Sequence, residues 1–154
     1  MKKPKLVMIG NGMAGVRTLE ELLKVAPDLY DITVFGAEPH PNYNRILLSP
    51  VLAGEQTLDE IVLNSWDWYK DNHITLHAGW TVMSVDRVKR LVHATNAAGE
   101  TLAAEYDRLV LATGSNPFML PIPGKDLAGV LAYRDIADTL GMIDAATKYK
   151  HAVV

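Results

Sequence analysis

The sequence predicts an α/β domain that combines a parallel sheet with an antiparallel meander. Two apolar runs, Lys5–Ile9 and Ile32–Phe35, flank a stretch in which apolar residues recur at helical spacing, which is the pattern of a strand–helix–strand unit. Three short strand-like runs follow later in the chain. A final run, Leu109–Ala112, is apolar throughout, as expected of a parallel strand that is buried on both faces. Together these observations predict a Rossmann-like fold of three layers.

The first half of the chain supplies most of the parallel sheet. The first strand ends at Gly10, and the helix behind it ends at Pro27 and Asp28. Glu38–Gly54 begins as a loop because it is rich in proline and asparagine. Ser65 is expected to cap a short helix. The remaining predictions are the helix Trp66–Asp71, the strand Ile74–His77, and the apolar groups Ile46–Leu48 and Val51–Leu52 that anchor the loop to the core.

The second half predicts the meander and one more helix. Turn residues at Asn96–Gly99 separate two of the three short strands. Pro117–Gly124 is a loop, and Asp135 is a suitable N-cap for a helix through about Ala146. Further strands are predicted at Thr81–Val85, Arg90–Thr95, Thr101–Glu105 and Val130–Tyr133, with the first residues of another at Ala152–Val154.

The overall composition limits the functions that the chain can have. With 154 residues, 49% of them hydrophobic, and a net charge of −3, it is expected to fold as a globular domain without a nucleic-acid partner. It has no cysteine, so disulfides and iron–sulfur clusters are excluded within these residues. No apolar stretch approaches the roughly 20 residues needed to span a bilayer. We therefore expect a soluble, cytoplasmic protein.

One motif carries the chemistry. Gly10–Gly15 fits the G-x-G-x-x-G pattern between a strand and a helix. Gly10 permits the tight turn, Gly12 lets a pyrophosphate approach the backbone, and Gly15 lets the helix pack closely on the sheet. The start of the helix offers free N–H groups to the phosphates. The pattern predicts a dinucleotide site, and the alternative is a glycine-rich turn without a ligand.

An acidic residue completes the dinucleotide pattern. Glu38 follows the last glycine by roughly 20 residues, which is the spacing of the carboxylate that binds the ribose. Gly36 and Ala37 occupy the tip of the second strand, so Glu38 lies one or two residues later than expected. The alternative is a solvated loop acid before Pro39.

These motifs, in their order, resemble a known family. Gly10–Gly15, the loop Asn42–Ser49, the segment Tyr106–Pro117 and the turn Pro121–Gly124 are similar to the FAD-binding part of the pyridine nucleotide–disulfide oxidoreductase superfamily. Within it, the loop and the following Val51–Glu55 most resemble the large subunits of NAD(P)H-dependent assimilatory nitrite reductases. The resemblance implies a flavin that takes hydride from NAD(P)H and passes electrons to a siroheme and an iron–sulfur cluster outside this chain.

The resemblance also implies roles for individual residues. No catalytic residue is among them, because the flavin carries the redox chemistry, and no metal ligand is assigned. Glu38 would bind the ribose, and Val82 would bind the adenine through its backbone. Three residues of the loop, Asn44, Arg45 and Ser49, would lie along the pyrophosphate and flavin. The residues that would hold the pyrophosphate or pass close to the cofactor are Gly10, Gly12, Met13, Ala14, Gly15, Ala112, Thr113 and Gly114.

Two departures from the family pattern refine the expectation. Ferredoxin-reductase relatives tend to have lysine after Ser49, whereas this chain has Pro50. The segment that completes the FAD domain in this family is absent, and so is most of the NAD(P)H domain. We therefore expect a fragment, with an incomplete FAD-binding domain at residues 1–147 and the start of an NAD(P)H-binding domain at 148–154.

Other readings stay open at this level. The whole protein could be a ferredoxin or rubredoxin reductase, or the chain could be a nucleotide-binding module without catalysis. A second copy of the chain or a small subunit are the protein partners to be considered. His73 and His77 could bind a metal, but no third ligand is near. Asp107 is expected to fix a turn. Four aromatic residues are expected to pack in the core or at an interface, namely Trp66, Trp68, Tyr69 and Trp80.

Overall fold

The computed structural model describes residues 2–154, which divide into two compact units. The sheet unit contains the residues up to Tyr43 together with Val62–Gly114, and the helical unit contains Asn44–Ile61 and Ser115–Val154. The strands in chain order are β1 (Lys5–Ile9), β2 (Asp31–Gly36), β3 (Ile74–Ala78), β4 (Trp80–Asp86), β5 (Leu91–Asn96), β6 (Thr101–Glu105) and β7 (Arg108–Leu111). The helices are α1 (Met13–Val25), α2 (Leu48–Leu52), α3 (Trp66–Asp71) and α4 (Ile136–Lys148).

The sheet unit contains the two predicted sheets. A parallel sheet has the strand order β3-β2-β1-β7, and an antiparallel sheet has the order β4-β5-β6. In the parallel sheet Lys5 pairs with Asp31 and Leu6 pairs with Arg108, so β1 lies between β2 and β7. The predicted fold class is therefore confirmed.

The core of the sheet unit lies on both faces of β1. Met8 packs on one face with Leu19 of α1, and Val7 packs on the other face with Val92 of the meander. Because both faces are covered, Leu6–Ile9 is buried throughout, as its unbroken apolar run predicts. Helix α1 ends one residue before Ala26, whose N–H bonds to the carbonyl of Leu22, and Pro27 prevents its continuation.

Turn and cap residues behave as predicted in the rest of this unit. The Asn96 carboxamide accepts the N–H groups of Ala98 and Glu100, both at 3.0 Å, which closes the turn between β5 and β6. The Ser65 hydroxyl accepts the N–H of Trp68 at the start of α3. That helix ends before His73, which has a positive φ of 55°.

The helical unit contains α2, α4 and the segments around them. Leu48 and Val51 of α2 are buried, whereas Ile46 is 75% exposed and Leu52 is 36% exposed. The prediction that Ile46 and Leu52 anchor the loop is therefore wrong. Leu48 and Val51 share one face of a helix because they are three residues apart, and Ile46 belongs to a preceding 3₁₀ turn (Arg45–Leu47) that points elsewhere.

Helix α4 begins where the sequence predicts. Asp135 is its N-cap, and the Asp135 carboxylate accepts the N–H of Asp138 at 2.9 Å. The Asp138 carboxylate in turn accepts the N–H of Asp135, so a capping box forms. The helix runs two residues beyond the predicted end, to Lys148.

Three predictions about strands are wrong. Val130–Tyr133 forms no strand, and neither does Ala152–Val154, because none of the strands in residues 2–154 pairs with their backbone groups. The last parallel strand covers Arg108–Leu111 rather than Leu109–Ala112. Among the helices of residues 2–154, none has the length and apolar character that a membrane crossing requires.

Candidate functional site

The Gly10–Gly15 turn lies where the central strands of the parallel sheet end. The N–H of Gly10 donates to the carbonyl of Phe35 at 2.8 Å, which ties the turn to β2. On the other side, the N–H of Ala112 donates to the carbonyl of Ile9 at 2.8 Å, which ties β7 to the end of β1. Ligands of parallel α/β sheets bind at this carboxyl edge.

Two of the three glycines are required by close packing. A Cβ atom at position 10 would lie 2.1 Å from the carbonyl oxygen of Ala112, and Gly10 also has a φ of +111°. A Cβ atom at position 15 would lie 2.9 Å from both the Gly10 carbonyl oxygen and the Met8 sulfur. These contacts are the tight turn and the close helix–sheet packing that the motif predicts.

Gly12 differs from the other two glycines. Its φ is −89°, and a Cβ atom there would have no heavy atom of residues 2–154 within 4 Å apart from its chain neighbours. Packing within the protein therefore does not explain this glycine. The space beside it is open.

The first turn of α1 has no internal cap. Gly12 is the N-cap and has no side chain to accept the N–H groups, and the first turn carries no acidic residue. Such N–H groups lack acceptors within the helix and carry a partial positive charge. An uncapped helix start beside an open space is suited to an anion such as a phosphate.

Asn11 contributes a contact network that the motif does not predict. Its side-chain N–H₂ donates to the carbonyl of His40 at 3.2 Å, and its side-chain oxygen accepts the hydroxyl of Tyr69 at 2.7 Å. A Cβ atom at position 36 would lie 2.8 Å from the Cβ of Asn11, so the glycine at the end of β2 makes room for this side chain. Sequence reasoning missed these partners because the motif treats the second position as variable.

Glu38 lies in the loop after β2. Its carboxylate accepts the Tyr43 hydroxyl at 2.6 Å, and its carbonyl accepts the N–H of Gly79 at 3.0 Å. The side chain is partly buried. Glu38 is therefore held in place by the fold, unlike the solvated loop acid of the alternative interpretation.

The other predicted residues of the sheet unit lie on β4 and after β7. Val82 is partly buried against the cluster that contains Phe35. The Ala112 methyl group would lie 3.1 Å from a Cβ atom at position 15, so Ala112 borders the glycine turn directly. Thr113 and Gly114 are exposed, and Gly114 has a φ of 72°.

Three predicted residues belong to the helical unit and have local contacts there. The Asn44 side chain accepts the N–H of Ile46 at 3.1 Å and so caps the 3₁₀ turn. The Arg45 guanidinium donates to the carbonyl of Arg134 at 3.2 Å. The Ser49 and Tyr133 hydroxyls lie 3.1 Å apart. The loop and the segment before α4 are thus joined by polar contacts.

A separate cavity of about 600 Å³ opens at the opposite, amino edge of the sheet and contains none of the predicted site residues. Basic and acidic side chains pair along it. The ammonium group of Lys5 lies 2.7 Å from Glu105 and holds the pKa of that carboxyl below its usual value. The Asp107 carboxylate accepts the N–H of Lys5 at 2.7 Å. Asp107 thus has a structural role, at the start of β1 rather than in a turn of its own.

The two histidines that could have formed a metal pair have other surroundings. The His77 ring stacks on Phe35 with centroids 5.0 Å apart, and burial lowers the pKa of His77. His73 is exposed at the end of α3. Within residues 2–154, His, Cys, Asp and Glu side chains form no group of three that could hold a metal ion.

The fold and the glycine turn define a Rossmann-like α/β domain with its candidate site at the carboxyl edge of the sheet. Residues 4–154 match the family model described as pyridine nucleotide-disulphide oxidoreductase, and the chain belongs to this family. Family membership implies FAD as the cofactor of this region.

Particular relatives refine the placement within the family. The chain is 55% identical over all 154 residues to a nitrite reductase [NAD(P)H] of Bacillus subtilis (strain 168), and 49% identical over its full length to the assimilatory nitrate reductase electron transfer subunit of the same organism. It covers 19% and 20% of those two proteins, so it spans about a fifth of the curated relatives that it matches.

A solved structure has a similar fold. The NADH:rubredoxin oxidoreductase from Clostridium acetobutylicum superposes with a TM-score of 0.79 at 26% sequence identity. The match covers 96% of this chain and 36% of that protein.

Proposed function

We propose that this chain is the FAD-binding portion of a flavin-dependent NAD(P)H oxidoreductase of the nitrite reductase type. The observation that carries the proposal is the open, uncapped start of α1 at Gly12, in a chain that is 55% identical to a nitrite reductase. In the whole protein, electrons from NAD(P)H would pass through FAD to siroheme and iron–sulfur centres outside this chain. Residues 1–147 would form the FAD-binding part, and residues 148–154 would begin the NAD(P)H-binding part.

The residues present fit a dinucleotide on physical grounds. A pyrophosphate needs N–H donors, a favourable electrostatic field and room to approach the backbone. The first turn of α1 supplies the donors and the field, and the space beside Gly12 supplies the room. The N–H groups of Met13 and Ala14 are the donors in this proposal. Gly10 and Gly15 shape the turn.

The remaining assignments follow the chain away from the turn. Glu38, held by Tyr43, is the proposed ribose acceptor, and Val82 the backbone contact to adenine. Ala112, Thr113 and Gly114 would border the cofactor beyond the end of β7. For Asn44, Arg45 and Ser49, the family resemblance supports the proposed role.

FAD bound at this site would supply the redox chemistry, which is electron transfer from NAD(P)H to an acceptor outside this chain. The residues of this chain bind and orient it, and no general acid or base is assigned among them. The side-chain contacts of Asn11 and Glu38 keep polar groups in fixed positions around the glycine turn. Their contribution is therefore preorganisation rather than proton transfer.

The test is flavin retention by the purified chain. After incubation with FAD and desalting, the wild type should keep absorbance bands near ~370 and ~450 nm, the approximate positions for a protein-bound flavin. Gly12→Ala should lose at least about tenfold in FAD affinity, because the methyl group occupies the phosphate approach. Gly141→Ala is the matched control, since a Cβ atom there also meets nothing within 4 Å. A wild-type chain without flavin bands, or a Gly12→Ala variant that binds FAD normally, contradicts the proposal.

A ferredoxin or rubredoxin reductase is the second candidate. The likeness to an NADH:rubredoxin oxidoreductase over 96% of the chain favours it, whereas Pro50, in place of the lysine of ferredoxin-reductase relatives, weakens it. The two candidates differ in the electron acceptor. NAD(P)H oxidation by the whole protein, measured with nitrite and separately with rubredoxin or ferredoxin, distinguishes them.

A further inference from the structure

A chain of hydrogen bonds runs from the glycine turn to the middle of α1. The Tyr69 hydroxyl donates to the Asn11 side-chain oxygen at 2.7 Å and accepts the N–H of Asn42 at 3.3 Å. The Asn42 side-chain N–H₂ donates to the Asn64 oxygen at 2.8 Å. The Asn64 side-chain N–H₂ donates to the Glu20 carboxylate at 2.9 Å. Three segments that are distant in sequence, around Asn11 and Glu20, at Asn42, and at Asn64 to Tyr69, thus meet at one polar network.

This network is buried. Tyr69, Asn42 and Asn64 are 2%, 3% and 4% exposed. Buried polar groups are costly to leave without partners, so each hydrogen bond restricts the positions that its neighbours can take. The Tyr69 ring is fixed as well, since it packs in the core and meets Trp68 edge-on with ring centroids 5.0 Å apart. The donor of the bond to Asn11 is therefore held by the core of the fold.

The hydroxyl keeps its proton under ordinary conditions. Burial raises the pKa of Tyr69 to about 12, and the hydrogen bonds from Asn42 and to Asn11 oppose this rise only in part. At neutral pH Tyr69 is a neutral donor. The direction of the bond to the Asn11 oxygen is therefore fixed.

Asn11 is held on three sides. Tyr69 and the His40 carbonyl bond its two side-chain polar atoms, and the lack of a side chain at Gly36 gives its Cβ the space it occupies. Asn11 lies between Gly10 and Gly12, which have no side chains that could hold the turn. A fixed Asn11 side chain limits the rotation of the backbone on both sides of it.

We propose that Tyr69 is a positioning residue that holds the Gly10–Gly15 turn in its anion-binding conformation through Asn11. This inference rests on the proposed function. Glycine-rich backbone has many accessible conformations, so a ligand that binds it must bear the cost of ordering it unless the protein has already done so. Tyr69 and Asn11 supply that order from the core, and the affinity for the pyrophosphate depends on it.

The test uses Tyr69→Phe in the complete 154-residue chain, with FAD as the probe. The ring packing stays, and only the hydroxyl is lost. We expect FAD affinity to fall about tenfold, which corresponds to the free-energy contribution of one hydrogen bond. In the free protein, amide exchange at Gly10 and Val16, whose hydrogen bonds close the turn, should accelerate relative to amides in the centre of β2. In an Asn11→Ala background, Tyr69→Phe should have no further effect on affinity.

Ile74→Val is the matched control, because Ile74 lies in the same core cluster as Tyr69 and takes no part in the hydrogen-bond network. It should lower stability while FAD affinity and the relative exchange of the turn stay unchanged. Unchanged affinity and exchange in Tyr69→Phe overturn the inference. An equal loss of affinity in Ile74→Val also overturns it, since general stability would then explain the effect. If the wild type binds no FAD, the proposed function fails, and the exchange measurement alone decides whether Tyr69 positions the turn.

Discussion

A Cβ atom at Gly10 would lie only 2.1 Å from the carbonyl oxygen of Ala112. The two residues are far apart in sequence, and they meet because β1 and β7 are neighbours that end at the same level. The first glycine of the motif is therefore required by the backbone of another strand as well as by its own turn.

Gly10→Ala should destabilise the protein strongly. The substitution combines a positive φ with a backbone clash, and together these should lower the free energy of unfolding by about 2–5 kcal/mol. Urea unfolding followed by circular dichroism measures this. Gly54→Ala is the control, because Gly54 also has a positive φ of 75° but a Cβ atom there has open space. It should cost only about 1 kcal/mol. Equal losses in the two variants would show that the contact with Ala112 is unimportant.

The capping box of α4 should contribute measurably to stability. Asp135→Ala removes the acceptor for the N–H of Asp138, and we expect a loss of about 1 kcal/mol in the free energy of unfolding. Asp144→Ala, near the other end of the helix, removes an exposed ion pair with Lys148 and should cost less than about 0.5 kcal/mol. The same urea titration compares them, and the reverse ranking would contradict the assignment of Asp135 as the cap.

Acid should weaken the polar network through Glu20. The hydrogen bond from Asn64, followed by that from Arg17, lowers the pKa of the Glu20 carboxyl below its usual 4.5. A carboxyl with a lowered pKa in the folded state stabilises the protein above its ordinary pKa. This contribution disappears as the pH falls through the folded-state value.

The measurement compares Glu20→Gln with the wild type at pH 7 and pH 3. The variant should be less stable at pH 7, and the difference should shrink at pH 3, when Glu20 itself is protonated. Glu55→Gln, at an exposed position, controls for the loss of one negative charge. A stability difference that is the same at both pH values would refute the role given to the carboxylate.

His77 predicts a second pH effect at milder acidity. Burial against Phe35 lowers the pKa of this histidine below its usual 6.5, so the folded state resists its protonation. The unfolded chain then binds more protons near that pH, and stability should decline as the pH falls from about 7.5 to about 5.5. His77→Gln should reduce this slope, and His93→Gln, at an exposed position of β5, is the matched control for the loss of one histidine. Thermal unfolding measured across this pH range gives the slope. A slope that is the same in His77→Gln as in the wild type would show that His77 is not responsible.

The elements found from sequence are those that local patterns determine. β1 is identified by its apolar run because both of its faces are buried, and α4 is identified by Asp135, a residue type that caps helices. The Tyr69–Asn11 bond could not be found in this way, because it joins residues 58 positions apart. The strand predicted at Val130–Tyr133 is absent because composition alone is not enough. A strand also needs a neighbour with free backbone groups.

The same distinction applies to the candidate site. The motif identifies Gly10, Gly12 and Gly15, and the structure separates them by surroundings, with contacts at the first and third and open space at the second. Glu38 could be recognised from its spacing, but the partner that holds it, Tyr43, could not. Spacing along the chain determines which residues are near the turn, and the tertiary fold determines what fixes them there.

The position of β1 has a consequence for the time course of folding. It is the first strand of the chain and an interior strand of its sheet, yet the Asp107 that bonds its first N–H group lies 102 residues further on. During synthesis, β1 and β2 can pair early, but one edge of β1 stays open until the ribosome has released the residues of β7. Contacts of such long range slow folding and leave an apolar strand edge exposed meanwhile. The nascent chain should therefore need a chaperone most before the residues from Arg108 onward have been synthesised.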